Sequence, residues 1–158
     1  MADRNSPALD GTAPSGPRGS GERRWPVLAA VAAGGVLGAL ARHALLAASP
    51  QRPDSVDWTV VLVNMVGCAL IGVLMEVLER RPGSHPLLRP FLGTGVLGGY
   101  TTFSASATDA AAALAAHRPE AALLALAANL AGALAAAGAA SAAAAAVLDR
   151  VAARREAT

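Results

Sequence analysis

The stretch Gly95–Ser106, GVLGGYTTFSAS, lies between two apolar runs and places two adjacent glycines before a series of threonines and serines. Each glycine inside a helix costs about 1 kcal/mol relative to alanine, and nearby hydroxyls divert backbone hydrogen bonds. The stretch therefore predicts a break in a helix that its apolar flanks place inside a membrane. The alternative is an unbroken helix whose glycines form a close packing contact.

A break at membrane depth frees backbone carbonyls, and each unsatisfied polar group there costs several kcal/mol. Such breaks persist only where protein, water or a bound ion satisfies the freed groups. Carbonyl oxygens bind cations. The helix that restarts after the break, the hydroxyls and the positive ring edge of Phe103 favour an anion. The stretch thus predicts a role in ion handling.

The rest of the chain is that of a small membrane protein. Of its 158 residues, 54% are hydrophobic and 15% are charged, against roughly 25% charged in soluble domains. Four segments carry almost no charge and are long enough to cross a bilayer. They are 26–48, 57–78, 88–114 and 119–147. The predicted fold is all-α, an integral membrane protein with four transmembrane helices, of which the third is broken mid-membrane.

Three regions follow from this division. Residues 1–24 are rich in Pro, Gly, Ser and charge, which predicts a disordered N-terminal tail. The tail is too long and too mixed in charge for a cleaved signal peptide, so the first helix is predicted to stay as an anchor. Residues 25–149 form the predicted four-helix channel domain, and residues 150–158 form a short basic C-terminal tail.

The arginines are distributed unevenly between the two sides of the predicted membrane region. Ten fall with the N-terminal tail, the second loop and the C-terminus, whereas only Arg52 and Arg118 fall on the opposite side. Because basic residues mark the cytoplasmic side, we expect both termini in the cytoplasm and the protein in the plasma membrane.

Four of the polar residues within the apolar segments are candidates for a role at membrane depth. Arg42 is either a functional charge or a side chain that extends to the interface. Asn64 either bonds another helix or faces a polar cavity, and Asn129 poses the same choice. Asp109 is either a charge at a pore mouth or an interfacial residue.

Small residues predict where helices approach one another closely. Gly34 and Gly38 are four residues apart in the first segment, which is the spacing of tight membrane helix pairs. Gly67 and Gly72 suggest that the second helix is also closely packed.

The sequence argues against several classes of protein because residues that their chemistry needs are missing. It has no nucleophile–base pair, metal-ligand cluster or phosphate loop, so an enzyme is not expected. It has no basic stripe with interleaved aromatics, which argues against nucleic acid. A small multidrug transporter is the least favoured alternative, because it needs a carboxylate in its first helix and residues 26–48 contain none. The single cysteine, Cys68, can form no disulfide within the chain.

Three motifs together resemble the fluoride channel family called CrcB or Fluc. They are GGVLGALARHA in the first segment, TVVLVNMVGCALIGVL in the second and GVLGGYTTFSAS in the third. The motifs follow the family's order, and the resemblance covers about residues 28–148. It implies small four-helix subunits that pair antiparallel and export toxic fluoride passively.

The resemblance also implies binding residues. The two breaks of a dimer would hold a structural sodium ion (Na+) through the backbone carbonyls of Gly98 and Thr101. Fluoride would lose its hydration shell to amide hydrogens, hydroxyls and ring edges. The implied fluoride pathway comprises Arg42, Asn64, Thr102, Phe103, Ser104, Ser106 and Asp109.

One departure from the family pattern bears on the partner. Ser106 stands where the second phenylalanine of the pattern belongs, and Ala105 replaces a threonine. A strongly oriented subunit cannot supply its own inverted partner. We therefore expect an antiparallel dimer with an oppositely oriented paralogue in which one of two pores is degraded, with a homodimer as the alternative. A partner subunit that conducts no fluoride is a further alternative.

Overall fold

A computed structural model describes residues 24–49, 57–81 and 83–156, and within these ranges all regular structure is helical. The predicted tail before Arg24 lies outside the described residues. The elements are helix α1 (Arg24–Ala48), helix α2 (Trp58–Glu79), a π-helical segment (Arg89–Leu97), the single turn α3 (Gly98–Tyr100), helix α4 (Phe103–Ala115) and helix α5 (Pro119–Glu156).

Three of these helices, α1, α2 and α5, are long and apolar enough to cross a membrane. Their large side chains are mostly exposed: Leu62, Leu123 and Leu134 are each more than half exposed. A soluble domain of this size would bury such side chains. The chain is therefore a membrane protein whose apolar surface faces outward.

The helices pack in two parallel pairs. Asn64 on α2 contacts Asn129 on α5, and further along both helices Gly72 faces the backbone of Ala137. Because residue numbers rise together, α2 and α5 run parallel. Helix α1 runs parallel to the π-helical segment and α3 for the same reason. Helix α4 turns back onto α5 through a short loop in which His117 has a φ of 58°.

Glycine residues allow the paired helices to approach one another closely. A Cβ added at Gly38 would lie 2.7 Å from the backbone nitrogen of Tyr100 and would meet the carbonyl of Val96. Gly34 faces the same segment, and Gly72 faces α5. The expectation that glycines allow close helix packing is confirmed at these positions.

The ends of two helices differ from the sequence prediction. Helix α5 does not end near residue 147 but continues through Arg150 to Glu156, so the basic end of the chain is helical where the structure describes it. At 38 residues it is roughly 57 Å long, well beyond the hydrocarbon thickness of a bilayer. Helix α1 begins at Arg24, slightly before the predicted start.

Candidate functional site

Two residues with extended backbone separate α3 from α4. Thr101 has φ −80° and ψ 153°, and Thr102 has φ −149° and ψ 125°. We call these two residues the extended pair. The preceding π-helical segment, in which the Gly98 N–H reaches back to the Gly93 carbonyl, adds a second irregularity to the same stretch. π-Helical turns are rare and are frequently found at functional sites.

Asn64 on α2 holds the extended pair in place. Its Oδ1 accepts a hydrogen bond from the Thr102 N–H at 2.7 Å, and its Nδ2 donates to the Thr102 carbonyl at 2.7 Å. The amide side chain thereby satisfies both backbone polar groups of a residue that has left the helix. Both residues are buried, so these bonds would be costly to lose.

Asn129 on α5 completes this polar network. The Nδ2 of Asn64 donates to Asn129 Oδ1 at 2.7 Å. An amide has two N–H donors, so both donors of Asn64 are used within the chain. From the sequence, Asn129 posed the same choice as Asn64, between a bond to another helix and a polar cavity. The sequence does single out Asn129 as a candidate, because Asn129 and Ser141 are the only polar residues between Ala121 and Leu148.

Side chains divert the two amides that would normally bond the carbonyls of Gly98 and Thr101. The Thr102 N–H donates to Asn64 rather than to the Gly98 carbonyl one turn back. The Ala105 N–H donates to Thr102 Oγ1 at 3.3 Å, which caps α4, rather than to the Thr101 carbonyl. Both carbonyls therefore lose their helical donors.

Arg42 on α1 lies beside one of these carbonyls. Its Nη1 donates to the Thr101 carbonyl oxygen at 3.4 Å, a long hydrogen bond from a half-buried side chain. The contact brings a permanent positive charge to the extended pair. Arg42 is therefore not only an interfacial residue.

The predicted pathway residues on α4 lie on two different faces. Ser106 is 3% exposed and lies on the same buried face as Thr102. Phe103 is 72% exposed, and Ser104, whose hydroxyl is 3.0 Å from that of Thr102, is exposed as well. Asp109 is half-buried further along α4. One chain therefore does not bring Phe103 and Asn64 together around a common cavity.

A polar cluster at the far ends of α2 and α5 was not expected from the sequence. Arg80 donates to Glu76 at 2.7 Å and to Asp149, and Ser141 donates to Glu76 at 3.5 Å. The hydrogen bond to Asp149, followed by that to Glu76, raises the pKa of Arg80. The cluster joins the C-terminal end of α2 to α5.

The described residues contain no group of three or more His, Cys, Asp or Glu side chains that could hold a metal ion. The oxygen atoms that this stretch offers to a cation are backbone carbonyls and side-chain hydroxyls. Carbonyl oxygens are hard ligands of the kind that alkali cations take.

These features define the class of protein: an all-helical membrane protein whose helical stretch 89–115 is opened by two extended residues, one of which is held by a buried asparagine, Asn64. Comparison with known proteins gives the family. The family model described as CrcB-like protein, Camphor Resistance (CrcB), matches residues 29–141. The chain belongs to this family, and the resemblance seen in its sequence motifs is confirmed.

The chain is similar to several proteins named as fluoride-specific ion channels. FluC 2 of Thermobifida fusca is 70% identical over 132 residues, which cover 84% of this chain and 98% of that protein. FluC 2 of Streptomyces avermitilis is 45% identical over 123 residues, or 78% of each chain. FluC 1 of Streptomyces coelicolor is 48% identical over 104 residues, or 66% of this chain and 68% of that protein. The family is one of ion channels and not of enzymes, as the sequence predicted.

Proposed function

We propose that the chain is a subunit of a fluoride-selective passive channel that exports fluoride from the cytoplasm. The observation that carries this proposal is the 70% identity to a protein named as a fluoride-specific ion channel, along 98% of that protein's length. The extended pair supports it, since a polar interruption among apolar helices is a feature of ion pathways.

The proposed membrane topology has four crossings, with residues 89–115 forming the third and the extended pair at its middle. The packing supports this count. Helix α1 runs parallel to the stretch before the extended pair, and α2 runs parallel to α5, as alternate crossings of a four-helix chain must. Both termini are then on one side, which the arginine bias places in the cytoplasm.

The proposed assembly is an antiparallel dimer. Phe103, next to the extended pair, is 72% exposed, and a partner subunit would cover it. The relatives carry the numbers FluC 1 and FluC 2, which supports paralogues as partners. We favour an oppositely oriented paralogue over a second copy, because ten of twelve counted arginines lie on one side.

The proposed structural sodium ion would be held by the carbonyls of Gly98 and Thr101. The fit is supported by the loss of their helical donors to Asn64 and Thr102. Sodium would supply a fixed positive charge between two subunits and would not move through the pore. The Arg42 guanidinium opposes the cation electrostatically, but its contact with Thr101 is long, and a carbonyl oxygen has a second lone pair.

The proposed fluoride pathway follows α4. Its members would be Phe103 and Ser104 on the exposed face, Thr102 and Ser106 on the buried face, and Asp109 beyond them. Arg42 would attract the anion to the vestibule. Asn64 would line the pathway at the depth of Thr102, which it contacts.

Fluoride efflux from liposomes tests the function. The full chain is reconstituted alone, and with a paralogue encoded in the same genome, in vesicles loaded with potassium fluoride or potassium chloride. We expect fluoride release from the mixture and no chloride release. Release from the chain alone would favour a homodimer. Absence of fluoride release from both preparations would refute the proposal.

A subunit that conducts no fluoride itself is the second candidate, favoured by Ser106 in place of the second phenylalanine of the pattern. Substitution of the exposed Phe103 can distinguish a conducting from a non-conducting subunit, since its replacement should not unfold the chain. In a conducting mixture, Phe103→Ile in this chain should lower the flux while the two subunits still co-purify, if this chain lines a pore. An unchanged flux would indicate a partner that serves only in assembly.

A further inference from the structure

Ser106 is the one buried side chain near the extended pair whose polar atom has no partner. It lies on α4, one turn after Thr102, and is 3% exposed. Among the described residues its Oγ is the only buried side-chain oxygen or nitrogen without a hydrogen bond. A buried hydroxyl of this kind is destabilising unless something else uses it.

Serine and threonine in helices usually avoid this cost by donating to the carbonyl four residues back. Two neighbours of Ser106 do so: Thr101 Oγ1 donates to the Leu97 carbonyl at 3.0 Å, and Thr108 Oγ1 donates to the Ser104 carbonyl at 2.9 Å. The corresponding acceptor for Ser106 is the Thr102 carbonyl. Asn64 Nδ2 donates to that carbonyl at 2.7 Å, and Ser106 Oγ makes no hydrogen bond to it.

Among its buried residues, helix α5 offers Ser106 no free polar side chain. Helix α4 packs on α5, whose buried residues are Ala122, Ala125 and Asn129. Asn129 bonds to Asn64, at the level of the extended pair. The remaining buried residue of α4 is Ala110. The other buried residues of α4 and α5 are therefore small alanines, apart from Asn129, and Ser106 Oγ remains a buried O–H donor without a partner.

We propose that the Ser106 hydroxyl donates a hydrogen bond to fluoride in this chain, and that Asn64 is a positioning residue. This inference rests on the proposed fluoride channel. Both amide hydrogens of Asn64 are used, on Thr102 and on Asn129, so they are not free to replace water around the anion. A hydroxyl is a stronger donor to a small anion than the ring edge of a phenylalanine at the same position.

Three variants of the full chain test this assignment in whichever preparation releases fluoride. Ser106→Ala removes the donor, and Ser106→Thr keeps a hydroxyl at the same place. Thr108→Ala is the matched control, because it removes an exposed hydroxyl that is already satisfied by Ser104. Each variant is measured for fluoride efflux, and for thermal stability by size-exclusion chromatography after heating.

We expect Ser106→Ala to lower the fluoride flux about tenfold, the cost of losing one hydrogen bond to an ion. Its thermal midpoint should stay equal or rise, because an unpaired buried hydroxyl is removed. Ser106→Thr should recover at least half of the flux, and Thr108→Ala should stay within twofold of the wild type.

Two results would overturn the inference while leaving the channel function intact. One is a flux of Ser106→Ala within twofold of a conducting wild type. The other is a parallel loss of flux and thermal stability, which would assign Ser106 a structural role. If the wild type releases no fluoride in either preparation, the proposed function fails and this inference fails with it.

Discussion

Asn64 makes both backbone hydrogen bonds of Thr102, accepting from its N–H and donating to its carbonyl, each at 2.7 Å. The arrangement resembles one rung of a β-ladder, built from a side chain on α2 rather than from a second strand. Because it satisfies both polar groups of a residue that has left the helix, it allows extended backbone to persist in an apolar surrounding.

The two asparagines of this network should differ in their contribution to stability. Asn64→Ala leaves the Thr102 N–H, its carbonyl and Asn129 Oδ1 without their partner, so the expected loss is about 3 kcal/mol or more. Asn129→Ala leaves only one N–H of Asn64 unpaired, and its expected loss is about 1 kcal/mol. Thermal unfolding in detergent compares the two variants. Equal losses would contradict the assignment of Asn64 as the central residue of the network.

Two glycines of α1 that are three residues apart, Gly35 and Gly38, should respond in opposite ways to alanine. At Gly38 a Cβ would meet the Val96 carbonyl and lie 2.7 Å from the Tyr100 nitrogen, so Gly38→Ala should cost about 2 kcal/mol or more through forced separation of the helices. At Gly35 a Cβ would meet nothing within 4 Å. Gly35→Ala should therefore be neutral or stabilise the helix by up to about 1 kcal/mol.

The thermal midpoint of each variant, measured in the same detergent, decides this comparison. If Gly35→Ala destabilises as much as Gly38→Ala, the close approach of α1 to the π-helical segment is not as described.

The sequence indicated the irregular stretch because glycine, threonine and serine have local effects on the backbone that need no tertiary information. It could not indicate which group replaces the lost hydrogen bonds, because Asn64 and Asn129 are 65 residues apart in the chain and either could equally have joined other helices. The end of α5 was misplaced because the charges after Leu148 end the apolar run without ending the helix. Arginine and glutamate are good helix formers.

The hydroxyl of Thr102 should matter separately from its backbone. It caps α4 by accepting from the Ala105 N–H at 3.3 Å. Thr102→Val keeps the shape of the side chain but removes the cap, so we expect a stability loss of about 1 kcal/mol. Thr102→Ser keeps the cap and should lose less than half as much. Hydrogen exchange at the first turn of α4 measures the effect locally, and equal exchange rates in both variants would argue against the cap.

Arg42 offers a test of the proposed sodium site through charge alone. Its guanidinium lies 3.4 Å from the Thr101 carbonyl oxygen, which is one of the proposed sodium ligands. A positive charge so close to a cation is unfavourable even with strong screening. Arg42→Gln should therefore lower the sodium concentration that gives half-maximal fluoride flux by roughly threefold or more. Arg42→Lys keeps the charge and should leave this concentration within twofold of the wild type.

The measurement is fluoride efflux from liposomes in which sodium is replaced stepwise by N-methylglucamine at constant ionic strength. Attraction of fluoride by Arg42 is a separate effect, since it changes the maximal flux and not the sodium concentration at half-maximum. A variant with slower maximal flux and an unchanged sodium requirement would retain Arg42 as an anion-attracting residue but would place the cation away from the Thr101 carbonyl. A higher sodium requirement in Arg42→Gln would mean that the guanidinium supports the ion site, for example by holding the extended pair in position. The sodium concentration at half-maximal flux would then change in the direction opposite to the one expected.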